Sequence, residues 1–362
     1  MPADHSTYLK PLVGMTLDEL RRVASEAGLR PFAAGQMARR LYVGRVKSID
    51  AMTELSKPSR AWLEQNYQVG LTPPRLASRS TDGTVKYLFA TRTPSVDYLK
   101  NQRDSLIDIE AVYIPDRDRA TLCVSSQAGC RMGCRFCMTG RQGLHGDLSS
   151  AGIINQILSI PESESLTNIV FMGMGEPMDN VDEVIKAIEV LTSPWGLAWS
   201  PTRITVSSIG KLDGLRRLLD ETKVHVAISV HSPYPTERRD LMPVEGAFPL
   251  TAVTALLSEY DFSHQRRLSA EYIMWQGVND DLRHADALAR ALRGLHCRVN
   301  LIRFHSIPGF EGRPASREAM ERFRDRLNQL GVTATIRASR GEDIQAACGM
   351  LSGEKSTRQS QG

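Results

Sequence analysis

No stretch of this sequence approaches the roughly 18 consecutive apolar residues that a membrane helix needs. The opening residues, Met1-Pro-Ala-Asp-His-Ser, lack the basic and apolar leader of a secreted chain. Cysteine is sparse, at six in 362 residues, and shows no paired framework of the kind that staples small extracellular domains. These absences predict a cytoplasmic protein with reduced thiols and no membrane partner. There is no internal repeat, and the net charge is only +4. The excess sits at the front, where residues 1–95 carry fourteen Lys/Arg against eight Asp/Glu, a mild bias toward a polyanionic partner.

What is present is an ordinary globular composition, 41% hydrophobic and 24% charged, in a chain long enough for one large catalytic domain and a small appendage. Residues 1–70 read as a compact helical accessory module. Thr16-Leu-Asp-Glu19 is a capping box, Gly28 ends the helix, Pro31 opens a second helix with Phe32, Met37 and Leu41 inward and Arg39 and Arg40 outward, and Ser56-Lys-Pro58 opens a third. Arginines on one face of such a module suit a phosphate backbone, or simply solvent. Residues 71–115 change pattern. Thr84-Val-Lys-Tyr-Leu-Phe-Ala and Asp108-Ile-Glu110-Ala-Val-Tyr-Ile alternate like half-buried strands, so this stretch reads as a β-rich linker with Glu110 on its wet face.

Residues 116–350 alternate strands and helices. Strand-like runs at 120–126, 168–172, 203–207, 225–230, 269–274, 298–303 and 333–337 are separated by amphipathic stretches. About six such units predict an α/β fold, a partial (β/α)6 barrel with a parallel sheet, its active site at the C-terminal ends of the strands. A polar tail follows at 351–362.

Four of the six cysteines fall in Ala120–Gln142, and Cys130, Cys134 and Cys137 read C-x3-C-x2-C. Spacings this short let one loop wrap its sulfurs around a single inorganic centre, zinc or an iron–sulfur cluster. A structural zinc site takes four ligands, whereas three thiolates on a [4Fe–4S] cube leave one iron open. The other residues of interest also follow strands: Gly175 and Glu176 after 168–172, Ser207 at the end of the next, Ser229, Val230 and His231 after that, and Asn300 in a later one. Cys123, Cys348 and Cys297 have a plain reading as small buried hydrophobes.

The trio with Phe136 before its last cysteine resembles the cluster loop of the radical S-adenosylmethionine (SAM) superfamily. With Cys123 before it and Asp343-Ile-Gln-Ala-Ala-Cys348-Gly after it, the chain resembles the RlmN/Cfr family of radical SAM adenine methyltransferases acting on RNA. The matching stretches are Ala120–Gln142, Phe171–Pro177, Ile204–Gly210, Ser229–His231, Val299–Ile302 and Arg337–Gly349, together with Met52-Thr-Glu-Leu-Ser-Lys57 in the accessory module. The resemblance implies a [4Fe–4S] cluster on Cys130, Cys134 and Cys137. It implies SAM held by Gly175, Glu176, Ser207, Ser229, Val230, His231 and Asn300, and a reductant such as flavodoxin or ferredoxin. The implied substrate is an adenosine of large-subunit (23S) ribosomal RNA, with transfer RNA a second substrate for some members. The chain is expected to be a monomer.

The resemblance further implies that Cys348 accepts a methyl group from one SAM and delivers it as a carbon radical made with a second. Glu110 then accepts a proton, and Cys123 resolves the protein–RNA adduct by forming a disulfide. Arg337-Ala-Ser-Arg340-Gly-Glu-Asp is more like the branch that methylates adenine C2 than the branch that methylates C8. Met138, Val230, Ser232 and Met350 depart from the commoner residues at their positions. The competing expectations are a zinc-stabilised RNA-binding protein without catalysis and a radical SAM enzyme for a small molecule or protein.

Overall fold

A computed structural model describes residues 9–93 and 105–352. The polar tail expected at 351–362 lies outside the described residues beyond Ser352, as do residues 1–8. The chain divides into two compact units. The first comprises Met1–Pro73 with Ser149–Ser163 and Asp182–Ser200, and the second Pro74–Leu148, Glu164–Val181 and Pro201–Gly362.

In the first unit, strand β1 (Lys10–Pro11) pairs in parallel with β2 (Tyr67–Gln68). Helix Leu17–Glu26 starts on the expected capping box. Thr16 Oγ1 accepts from Glu19 N at 3.2 Å, and Glu19 Oε2 accepts from Thr16 N at 2.9 Å, so two otherwise unpaired donors satisfy each other's residues. Helix Ala33–Ala38 runs into a π-turn at Arg39–Val43 that buries Leu41 and Tyr42. Phe32, expected inward, is 62% exposed, because it sits at the N-cap, before the helix face that carries Ala33, Ala34 and Met37 inward. Arg39 is exposed as expected, whereas the Arg40 guanidinium is held by Glu54 and Thr53. Helix Ser150–Leu158 belongs to this unit. Its Ser150 hydroxyl donates to the Gly14 carbonyl at 2.9 Å, and Asn155 bonds both the amide and the carbonyl of Thr72.

The second unit is built on one ten-stranded sheet. Its strands are β3 (Leu76–Arg79), β4 (Val85–Thr93), β5 (Ser105–Asp116), β6 (Arg119–Cys123), β9 (Asn168–Phe171), β10 (Ile204–Ser208), β11 (His225–Ser229), β12 (Leu268–Met274), β13 (Cys297–Arg303) and β14 (Ala334–Ile336); β7 (Gln127–Cys130) and β8 (Gly143–Asp147) form a separate hairpin. Strands β3 to β6 are antiparallel, and from β6 through β9 to β14 every neighbour is parallel. The sheet is open, with β14 and β3 at its edges. The small sheet expected before the barrel is therefore an antiparallel extension of the parallel one. Ile109, Glu110, Ala111 and Val112 are all buried, so this part of β5 is covered on both faces, where alternation predicts one wet face. Among the parallel strands, β11 and β12 also bury consecutive residues, Val226–Ile228 and Ala270–Met274, whereas β9, β10 and β13 alternate buried and partly exposed positions.

Parallel order places the C-terminal ends of β6, β9, β10, β11, β12, β13 and β14 along one rim. Loops leaving that rim carry Gly175, Glu176, Val230, His231 and Cys348, and Cys123, Ser207 and Ser229 lie at strand ends there, whereas Glu110 and Asn300 lie within β5 and β13. No helix among the described residues is long and apolar enough to cross a membrane.

Candidate active site

The cysteine loop is the turn of the β7–β8 hairpin, with a short helix, Met138–Gln142, inside it. Cys130 closes β7, and Cys137 caps the helix, its amide donating to Cys134 O at 3.1 Å. Gly140 allows this tight wrap, since a Cβ there would lie 3.0 Å from Cys134 N. The loop sits on an apolar cluster of Met132, Phe136, Ile209, Met242, Trp275 and Phe304, against which Met138 and Met350 also pack. The Phe136 ring meets His231 edge-on at 4.9 Å and Trp275 at 5.1 Å. Two departures from the family pattern, Met138 and Met350, thus fall together on one apolar surface.

Burial pushes the Cys130 thiol up to about 12 and raises Cys134 and Cys137 as well; Cys130 and Cys134 are further disfavoured as anions by neighbours in the trio, and Cys137 by Cys348. Three thiols that oppose one another's ionisation in an apolar pocket need a cation to become thiolates together, and this donor set suits an iron–sulfur cube. Among the described residues no group of three His, Cys, Asp or Glu side chains is arranged to hold a single metal ion. A cube takes each thiolate on a different iron and does not require that convergence.

A cavity of about 150 Å³ opens beside the trio, lined by all three cysteines and by Gly175, Glu176, Ser207, Ser229 and His231. Gly175 has φ +98°, and a Cβ there would meet Gln127 at 2.5 Å, so only glycine lets Glu176 enter the cavity wall. Glu176 is buried and its carboxyl is pushed up to about 7 by desolvation, even though it accepts from Met178 N and Ile209 N. His231 has φ +59° and is buried. Its Nδ1 accepts from Ile273 N at 3.1 Å, and burial together with the nearby Arg238 charge drives it down to about 3, so the ring is neutral with its proton on Nε2. Val230 and Asn300 do not line this cavity. Val230 is fully buried, and its backbone is bonded by Glu271 and Arg238; Asn300 is turned to Glu271 (2.7 Å) and Thr335 (3.1 Å).

A second cavity, of about 350 Å³, shares Cys137, Met172, Gly173, Ile302, Arg337, Cys348 and Gly349 with the first. Cys123 and Cys348, 225 positions apart in sequence, both line it, Cys123 buried and Cys348 exposed, and both thiols are free. Desolvation holds the Cys123 thiol at about 12, with the charge of Arg337 acting the other way. Glu110 lines neither cavity. It is buried and ion-paired with Lys86 at 2.9 Å, a charge contact rather than an aligned hydrogen bond, and its other oxygen accepts from Ser352 N at 2.7 Å.

Several residues at the site were not singled out in the sequence. Glu271 and Arg337 stand in the wall of the smaller cavity, 3.5 Å apart. His305 lines the larger one. Arg238, fully buried, donates to the carbonyls of Val230 (3.1 Å), Ile209 (3.2 Å) and Ser229 (3.0 Å) and is ion-paired with Glu245. It thereby ties the segment that supplies Ile209 N to Glu176 to the segment that carries His231. A charged residue in Pro235–Leu241 gives no warning of burial, because helix periodicity alone would place it outward. Glu271 did carry a signal, as a lone carboxylate within the apolar run of β12.

Comparisons with known proteins cover most of the chain. A family model described as the radical SAM superfamily matches residues 124–300. Another, described as the ribosomal RNA large subunit methyltransferase N-terminal domain, matches residues 10–69. A curated relative from Parabacteroides distasonis, named a probable dual-specificity RNA methyltransferase RlmN, is 55% identical over 96% of this chain and 97% of its own length. The dual-specificity RNA methyltransferase RlmN of Syntrophobacter fumaroxidans is 39% identical over 94% of this chain and 97% of its own. Among solved structures, a radical SAM methyltransferase from Sphaerobacter thermophilus superposes with a TM-score of 0.86 at 36% identity, over 95% of this chain and 100% of that one.

Proposed function

Because this chain belongs to the RlmN family of radical SAM RNA methyltransferases, we propose that it methylates C2 of an adenosine in large-subunit ribosomal RNA, and of transfer RNA as a second substrate. In this reading it works in the cytoplasm as a monomer, with electrons from a flavodoxin- or ferredoxin-like donor. The observation that carries the reading is the sharing of one cavity by Cys123 and Cys348, continuous with the cavity walled by Cys130, Cys134 and Cys137. Three thiols for a cluster explain how a radical is made; two more beside them supply a methyl carrier and its release.

Membership of the family implies a [4Fe–4S] cluster and SAM, which together supply a 5′-deoxyadenosyl radical when bound. The residues of this chain then divide the work. Cys130, Cys134 and Cys137 hold the cluster. Glu176 receives a cationic amine, for which its carboxylate must be ionised, while Ser207, Ser229 and the Nε2–H of neutral His231 offer polar partners in the same wall. Val230 serves through its backbone.

Cys348, exposed on the cavity, takes a methyl group on Sγ by displacement, losing its proton. The same carbon, less one hydrogen atom, joins the adenine, an sp2 carbon too poor a nucleophile to attack a sulfonium itself. After the adduct gives up a proton to Glu110 and one electron, for which a bound cluster in its oxidised state would be the acceptor, the Cys123 thiolate attacks Cys348 Sγ. The disulfide forms, the S–C bond breaks and the methylated base leaves with a proton. Arg337, in the wall of the cavity that both cysteines line, favours the thiolate of Cys123. The adenine must be unpaired or flipped to reach this site.

The test is mass spectrometry of nucleosides from ribosomal and transfer RNA treated separately with reconstituted protein, reductant and SAM. The expected product is 2-methyladenosine. Finding 8-methyladenosine would move the protein to the other regiochemistry, and a colourless protein with stoichiometric zinc would sink the enzyme reading. Cys123→Ala is expected to accumulate a covalent protein–RNA adduct, and Cys348→Ala to give neither adduct nor product.

A further inference from the structure

The segment bearing Cys348 has little regular structure of its own. It contains one 3-10 turn, Glu342–Ile344, followed by Gln345 at φ +54°, a left-handed conformation that a non-glycine residue rarely adopts. Side chains from outside hold it. Ser80 Oγ donates to Asp343 at 2.6 Å, Asp82 accepts from Gly341 N at 3.0 Å, and Thr139 and Gln142 donate to the carbonyls of Leu351 and Ser352, both at 2.7 Å. The other charged groups of the segment are engaged at its start: Arg340 with Asp116, Glu342 beside Arg303 and His305, and Asp343 with Ser80 and Thr81.

One contact is unlike these. The Lys86–Glu110 pair, with side chains 7% and 1% exposed, reaches the segment on both sides of the cysteine. Lys86 Nζ donates to the carbonyl of Gln345, three residues before Cys348, at 3.4 Å. Glu110 accepts from the amide of Ser352, four residues after it. The lysine tether falls on the strained Gln345 backbone itself. A buried ion pair holds only while both partners are charged, since neutralising one leaves the other buried without compensation.

We propose that Lys86 and Glu110 form a charge latch that seats the Cys348 segment, Lys86 acting as a positioning residue through Glu110, and that neutralisation of Glu110 releases the segment. The timing rests on the proton-acceptor role given to Glu110 above. A proton arriving on Glu110 removes the charge that Lys86 pairs with and weakens the acceptor of the Ser352 amide. This happens at the step when Cys348 Sγ must meet Cys123 Sγ. Resolution is thereby ordered after proton loss from the adduct.

The latch is tested without RNA or SAM, in the full chain with its cluster reconstituted under anaerobic conditions. Oxidised glutathione takes two electrons and two protons from Cys123 and Cys348, giving their disulfide and two reduced glutathiones, and the rate is followed by mass spectrometry. Glu110→Gln, nearly isosteric with the protonated acid, and Lys86→Met are expected to speed disulfide formation by about tenfold or more, with Lys86→Arg staying near the parent rate. Hydrogen exchange at the Leu351 and Ser352 amides should accelerate in the same two variants, a measure that stands even if one variant folds poorly. Rates within about twofold of the parent in both variants would overturn the latch. So would a parallel rise in alkylation of Cys297, which lies in a different part of the unit and would report general loosening. Normal RNA methylation by Glu110→Gln, with fast disulfide formation, would remove the proton-acceptor role and leave the latch standing.

Discussion

The two cysteine-bearing segments of the site are held in place by different forces. The Cys130–Cys137 loop is the turn of a hairpin seated on an aromatic and aliphatic cluster, with Phe136 wedged between His231 and Trp275. The Cys348 segment is irregular and is held by side-chain hydrogen bonds and one buried ion pair. Packing contacts are many and short-ranged, so a packed loop has one position. Polar tethers are few and can be switched by a proton. In the function proposed above, a cluster must be held still, whereas Cys348 as methyl carrier has to meet a methyl donor, a base and a resolving thiol in turn.

The sharpest way to separate the two segments is to remove one thiol from each. Cys134→Ala is expected to abolish iron binding, visible colour and methylation together while the protein stays folded, checked by iron content and circular dichroism. The thiol fills apolar space that a methyl group partly fills, so the fold loses little. Cys348→Ala should keep iron and colour in full and lose only product.

Next in size is Arg238, which ties the Ile209 segment to the segment carrying His231 beside the smaller cavity. Arg238→Met should destabilise the fold by about 3–5 kcal/mol in chemical denaturation, because Glu245 is left as an uncompensated buried charge. Arg238→Met combined with Glu245→Leu should recover most of that stability. It should still bind SAM weakly, since the carbonyls of Ile209, Ser229 and Val230 have lost their common donor.

Glu176 gives a pH test confined to the packed side. Its carboxyl titrates at about 7 in the folded chain against 4.5 when unperturbed, so the folded state binds the proton more tightly. The stability this contributes is full below pH 4.5 and is lost as pH rises through 7. A cationic amine bound there needs the carboxylate, so SAM affinity should fall by about tenfold per pH unit below 7, measured by calorimetry. Glu176→Gln should flatten both profiles.

The smallest effect is expected on the tethered side. Ser80→Ala removes one hydrogen bond to Asp343 and should cost about 0.5–1.5 kcal/mol locally. It should be seen as faster exchange at Gly341 to Ile344, with no change in iron content. An equal effect on the cluster loop would erase the contrast between the two segments.

Much of this was legible in the sequence because it is local. Capping at Thr16, turns at Gly28 and Gly175, strand and helix alternation, and the C-x3-C-x2-C spacing all depend on residues a few positions apart. Val230 and Asn300 were read as cofactor contacts because they sit in the right strands. In the structure neither side chain lines the cavity beside the trio: Val230 points into the core, leaving its backbone for that role, and Asn300 turns toward Glu271. Phe32 was misplaced because helix periodicity does not begin until after the cap.

By itself, then, the sequence determined the chemistry available: three thiols close enough along the chain to share a cluster, strands that must run parallel, and loops that must gather at their C-terminal ends. Only the tertiary structure decided which distant groups meet. It brought Cys348 to the cavity of Cys123, buried Arg238 beneath three strand-end carbonyls, and turned Glu110 from a strand's expected wet face into the partner of Lys86 beneath the Cys348 segment. The reason is physical. Spacing along the chain sets which side chains share a turn or a face, but the burial and pairing of a charge depend on every element packed around it.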